Sequence, residues 1–169
     1  MKQILVGIIL VSFLLAGCQQ KTDGYVIQGE VEGLADGNIY LKSFRNKMFF
    51  DQDTAEVKDG KFTFKGKVEQ PLLYGLVTDE MSYPAQFFLE NVDMKVRLNQ
   101  DGEIISIQDS PANDLFLSNS DKIFEDGYNI DSLVSKYPES PVAAFYLYRY
   151  FTYQLPLEEL KSTRAKISP

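Results

Sequence analysis

Val57-Lys58-Asp59-Gly60-Lys61-Phe62-Thr63-Phe64 is the stretch whose reading settles the fold class. Asp-Gly readily takes the positive φ values of a tight two-residue turn. After it, Phe62, Phe64, Gly66 and Val68 alternate with Lys61, Thr63, Lys65 and Lys67, the period of a strand with one buried face. The stretch predicts a β-hairpin, and the same period runs outward from it in both directions.

Toward the N-terminus, Met48 to Val57 reads as a strand whose polar middle, Asp51 to Thr54, marks a bend or an edge. Ile39 to Phe44 reads as another, pairing back through the turn Ala35-Asp36-Gly37-Asn38 onto a first strand. In that first strand Tyr25, Ile27, Gly29 and Val31 alternate with Val26, Gln28 and Glu30. Toward the C-terminus, further strands are expected at Leu72 to Thr78, Ala85 to Glu90, Met94 to Leu98 and Ile104 to Gln108. Pro71, Ser82-Tyr83-Pro84, Asn91-Val92-Asp93 and Asn99 to Gly102 separate them. About eight short strands, with no helix-length gap for a parallel crossover, predict a mainly β protein. The expected body is an antiparallel β-sandwich or open barrel over residues 25–109.

After Asp109 the period changes, and residues 110–169 read as a small C-terminal α-helical segment. Ser110 is an N-cap with Pro111 at the first helical position, opening a helix to about Asp126 with Leu115, Leu117 and Phe124 turned inward. Ile130 to Lys136 is a short helix, and Ser140-Pro141 repeats the cap signal before Val142 to Tyr153. That last run is apolar or aromatic at nearly every position, the mark of a helix packed on more than one side or awaiting a partner. Pro156 then opens an amphipathic segment carrying Leu157, Leu160 and Ile167.

At the other end, Lys2 precedes a 13-residue run from Ile4 to Ala16 that only Gly7 and Ser12 interrupt. This is shorter than the ~20 residues that a membrane-spanning helix needs, and no basic cluster follows it. Residues 1–17 are therefore expected to be a cleaved export signal. Leu15-Ala16-Gly17-Cys18 resembles the lipobox of bacterial lipoproteins, in which the cysteine carries diacylglycerol and acyl chains. Cys18 is the one cysteine of the sequence and stands at that position. Residues 18–24 read as a polar tether.

Composition narrows the chemistry. There is no histidine, and the single thiol is expected to be committed to lipid, so Ser-His-Asp, Cys-His and His-metal sites are excluded. Without Lys2 the 17 Lys and Arg become 16 against 24 Asp and Glu, a surface that repels nucleic acid. The 12 Phe and 10 Tyr argue for a folded β-rich body.

Three runs, Gly29 to Leu34, Lys58 to Val68 and Phe87-Phe88-Leu89-Glu90-Asn91, resemble the DUF4369-like β-domain of unknown function. In Gram-negative lipoproteins that domain commonly precedes a thioredoxin-like domain of the TlpA/AhpC type. Ser110-Pro111-Ala112-Asn113 and Tyr137 to Phe145 are similar to the linker helices of that family. The resemblance implies an association with thiol-disulfide proteins, yet the Cys-x-x-Cys pair of such a domain is absent from these residues. Redox activity is accordingly not expected of them.

Other chemistries rank lower. Asp51 and Asp53 would set two carboxylates on one strand face, as a carboxylate hydrolase requires, but a solvated strand edge explains them better. Asp79-Glu80 reads as loop solvation, and Glu158-Glu159 as first-turn charges favoured by the helix dipole. Neither Asp36-Gly37-Asn38 nor Asp59-Gly60 has the oxygen spacing of a calcium loop. No catalytic residue, metal or cofactor is expected beyond the lipid on Cys18. The candidate partner surface is Tyr146, Tyr148, Tyr150 and Tyr153, because tyrosine combines apolar area with a polar tip. The expectation is a non-enzymatic, lipid-anchored module of the cell envelope, at the outer membrane, serving a thioredoxin-like partner. The alternative is a free-standing glycan- or peptide-binding lipoprotein using Tyr83 and Phe88.

Overall fold

The computed structural model describes residues 23–168. The signal segment, Leu15, Ala16, Gly17, Cys18 and most of the tether lie outside the described residues.

Eight strands form two four-stranded sheets. Strands β1 (Tyr25–Val31), β4 (Lys61–Gly66), β7 (Asp93–Leu98) and β8 (Ile104–Gln108) lie in the order β4-β1-β7-β8. Strands β2 (Gly37–Arg45), β3 (Met48–Val57), β5 (Leu72–Thr78) and β6 (Ala85–Leu89) lie in the order β3-β2-β5-β6. The sheets do not close into a barrel. The sandwich core between them is built from the alternating residues of the first strand, Tyr25, Ile27 and Val31, with Ile39, Leu41, Phe62, Phe64, Leu76, Phe87, Met94 and Leu98. Gly29 continues that alternation because its partner on β4 is Phe62, whose ring fills the space of a side chain. A Cβ on Gly29 would lie 1.9 Å from Phe62 Cζ.

Two expectations about pairing are corrected. Strand β2 does not pair back on β1; it lies between β3 and β5 in the other sheet. In addition, β1 runs parallel to β7. A parallel pair needs a long connection but not a helical one, and here β2 to β6 supply it: β2, β3, β5 and β6 lie in the second sheet and β4 returns to the first beside β1. The Asp59-Gly60 turn forms as expected, with φ of 49° and 75° and reciprocal Lys58 to Lys61 bonds of 3.0 and 2.9 Å. Its flanking strands then diverge into different sheets, so the turn is a corner of the sandwich rather than the tip of a two-stranded ladder.

Four helices follow: α1 (Pro111–Asn119), α2 (Ile130–Lys136), α3 (Pro141–Tyr146) and α4 (Leu157–Arg164). The Ser110 and Ser140 caps form, each side chain accepting from backbone N–H groups in its first turn. The first helix is shorter than expected. It ends at Asn119, and a single 3₁₀ turn, Lys122–Phe124, follows. The aromatic run also departs from a regular helix, because Leu147–Phe151 winds as a π-helical turn.

The helices cover the outer face of β5 and β6. Leu73 and Phe88, opposite each other across those strands, enter a second core with Phe116, Ile130, Val134, Val142, Tyr146 and Phe151. Phe88 meets the rings of Phe116 and Phe145 at centroid distances of 5.3 and 5.7 Å. Strand β6 is a sheet edge, and its outward backbone at Phe88 is closed by one side chain. The Phe88 N–H donates to Asn113 Oδ1, and Asn113 Nδ2 donates to the Phe88 carbonyl, both at 2.7 Å. An amide side chain thus substitutes for a neighbouring strand. Asn113 is 0% exposed. Glu90 strengthens the junction, its Oε1 accepting from Ser110 Oγ at 2.5 Å and from the Ala112 N–H at 3.0 Å. Asn91 plays the same part for Val68, with bonds of 2.9 and 2.7 Å, in a less buried place.

Replacing Asn113 by Ala leaves a buried N–H and a buried C=O unpaired, each costing ~1–3 kcal/mol. Chemical denaturation is expected to show Asn113→Ala destabilised by about 2–4 kcal/mol, and Asn91→Ala by less.

Candidate interaction surface

The six aromatics of the run from Phe145 to Tyr153 separate into two sets. Tyr146 belongs to the buried set, and its place in the expected partner surface is corrected: it is 1% exposed, and its hydroxyl donates to the Phe116 carbonyl at 2.6 Å. Its ring stacks on Phe116 at 5.6 Å. Phe151 is buried and stacks on Tyr128. Tyr148 and Tyr153 form the exposed set, Tyr153 at 94%. Tyr150 stands between, half-buried, with its ring against Phe145 and Tyr146.

The cause of this division is the π turn. Its wider winding sets residues five apart nearly above one another, which carries Tyr150 over Phe145, at 6.2 Å, and leaves Tyr148 and Tyr153 outward. Phe124, expected to point inward, is 70% exposed and packs edge-on against Tyr150 at 5.3 Å. It stands outside because the first helix stops short of it. Arg149 lies over the Tyr150 ring, and Leu157 is exposed. The helical layer therefore exposes Phe124, Tyr148, Tyr153 and Leu157, with Tyr150 half-buried beside Phe124. Nothing in the run Lys122-Ile123-Phe124-Glu125 distinguishes the buried Ile123 from the exposed Phe124.

Other candidates fare differently. Asp51 and Asp53 do not share a face. The β2–β3 register slips between Leu41 and Lys42, so that Leu41 faces Asp53 and Lys42 faces Asp51, with Gln52 as the extra residue of a β-bulge. Asp51 pairs with Lys42 on the outer face, and Asp53 Oδ1 accepts from the Thr54 N–H at 2.8 Å. The spacing that suggested a hydrolase is undone by the bulge. Tyr83 is exposed, at 82%, but Phe88 is buried beneath the helices and cannot join it in a ligand site. Asp79 accepts from the Tyr40 hydroxyl at 2.9 Å, and Glu158 pairs with Lys161. Among the described residues no three carboxylates converge as cation ligands. Farther along, Asp131 ties α2 to α4 by accepting from Thr163 and Lys166, contacts that hold its carboxyl below the ordinary carboxylate value.

The family described as Domain of unknown function (DUF4369) matches residues 25–116, which includes the sandwich and α1 as far as Phe116. No curated protein matches the chain.

Burial pushes the Tyr146 phenol above its ordinary value of 10.0, with Tyr150, Tyr128 and Asp121 adding to the effect. The unfolded chain loses this proton from about pH 10 upward while the folded chain keeps it. The contribution is therefore present below about pH 10 and declines as pH rises beyond it. Unfolding followed across this range is expected to show stability falling above about pH 10, with a shallower fall for Tyr146→Phe. Equal slopes for the two proteins would contradict the burial of this hydroxyl.

Proposed function

We propose that this chain, which belongs to the DUF4369 family, is a lipid-anchored, non-enzymatic adaptor of the bacterial cell envelope whose helical layer docks a thioredoxin-like protein. The observation that carries the reading is the exposed apolar set on the helices, Phe124, Tyr148, Tyr153 and Leu157, with the half-buried Tyr150 beside Phe124, outside the second core. Large aromatics left in water are uncommon on a surface with no partner and common in interfaces. π turns, moreover, recur where a helix has a contact function. The anchor is the lipid on Cys18: each buried CH₂ contributes ~0.8 kcal/mol, so two or three acyl chains hold the protein at the membrane and the body needs no lipid-binding face. The outer membrane is the proposed site, since Gln19 follows Cys18 in place of the Asp that commonly signals inner-membrane retention.

The rival reading, a glycan- or peptide-binding lipoprotein, keeps one specific observation in its favour, the exposure of Tyr83 in the loop before β6.

A photocrosslinking residue replaces Tyr148, Tyr153 or Tyr83 in turn, and irradiated cells are fractionated. Crosslinks from positions 148 and 153 to an envelope protein with a thioredoxin fold are expected. The protein should be in the membrane fraction with acyl mass on Cys18, and Cys18→Ala should release it. Crosslinks from position 83 with none from 148 or 153 would sink the docking assignment, and wild-type protein without acyl mass would sink the anchor.

A further inference from the structure

A groove of about 640 Å³ runs between α1, the start of α3 and the loop before β5, apart from the exposed aromatic set. Three prolines, Pro71, Pro111 and Pro141, line it with Leu115 and Tyr137. Its walls are stiff. Proline fixes its own φ, and Pro111 and Pro141 each open a helix held by a serine cap. The groove is therefore formed before any ligand arrives, and binding there orders little.

Its charged lining groups, Glu90 and Asp114, are both carboxylates, while the Lys136 ammonium beside the groove is occupied over the Tyr137 ring, 5.1 Å from its centroid. Glu90 is already engaged by Ser110 and Ala112. The carboxylate of Asp114, exposed in the first turn of α1, makes no hydrogen bond or ion pair among the described residues. A ligand complementary to this groove covers apolar wall along its length and brings a cation to Asp114. Extended chains in the polyproline conformation, which have little entropy to lose, dock in stiff apolar grooves against an aromatic ring, here that of Tyr137.

We propose that this groove binds an extended peptide segment in which apolar residues, proline among them, flank a lysine or arginine. The apolar residues lie against Pro71, Leu115, Tyr137 and Pro141, and the cation meets Asp114. Anionic segments are rejected by the two carboxylates, because like charges brought together at an interface are costly.

The test uses the full chain and a fluorescein-labelled peptide of repeating leucine, proline and lysine, read by fluorescence anisotropy, with a second peptide carrying glutamate for lysine. The lysine peptide is expected to bind at least about tenfold more tightly than the glutamate peptide. Asp114→Lys should abolish or reverse that preference. Ser118→Arg, on the exposed rim of α1, should block both peptides. Thermal unfolding of Ser118→Arg should match wild type, and that of Asp114→Lys should fall by only a few degrees, because neither side chain is buried and Asp114 contributes only a first-turn charge to the helix dipole. Equal binding of the two peptides, or unchanged binding by Ser118→Arg, would overturn the proposal. So would occupancy of the groove by a fatty acid with no binding of peptide.

Discussion

The pairing of the Asn113 amide with the backbone of Phe88 is the constraint on which the rest of the structure depends. A four-stranded sheet has two edges, and an uncovered edge leaves a row of backbone groups open to other strands. Here β6 is an edge that must also be buried, because Phe88 is the anchor of the helical layer. Burying that edge with its N–H and C=O unpaired is costly in the low dielectric of the interior. Asn113 supplies one acceptor and one donor at the spacing a strand would offer, from the first turn of a helix. Ser110, Pro111 and Glu90 set where that helix begins.

Several features follow from this junction. Once α1 is fixed, Phe116 is delivered to Phe88 and Tyr146, and the second core grows around the three rings. The helices thus pack as a layer on the sandwich, and the family match, ending at Phe116, takes in the Asn113–Phe88 junction. The same geometry leaves two surfaces free. One is the aromatic set beyond the π turn, proposed to meet a protein partner. The other is the groove between α1 and α3, with Asp114 on its wall. The N-terminus of α1 therefore has a structural role through Asn113 and a proposed binding role through Asp114, one residue apart and pointing to opposite environments.

Much of this was legible in the sequence, and the reasons are local. Strands β3, β5 and β8 and helix α2 fall on the expected residues because period two and capping residues act over a few neighbours. Ser110-Pro111 and Ser140-Pro141 marked their helix starts for the same reason. Strand partners were not legible, since β1 meets β7 only after five intervening strands, and no short-range pattern records that. The Gln52 bulge was hidden too: period two counts residues, and a bulge adds one to a single strand, turning Asp51 and Asp53 apart. Tyr146 and Tyr148 look alike in a run that is apolar or aromatic at nearly every position. Two residues apart on a helix they face opposite sides, and the packing of Tyr146 on Phe116 decides which side is inside.

Hydrogen exchange at the Phe88 amide tests the central claim most directly. Phe88 donates outward from an edge strand, so its protection reports the Asn113 bond and nothing else in the sheet. This amide is expected to exchange only with global unfolding, at the rate of core amides such as Leu76 in β5. Rapid exchange at Phe88 in a protein whose Leu76 amide stays protected would show that the edge is open, and would contradict the claim that Asn113 holds the helical layer to the sandwich.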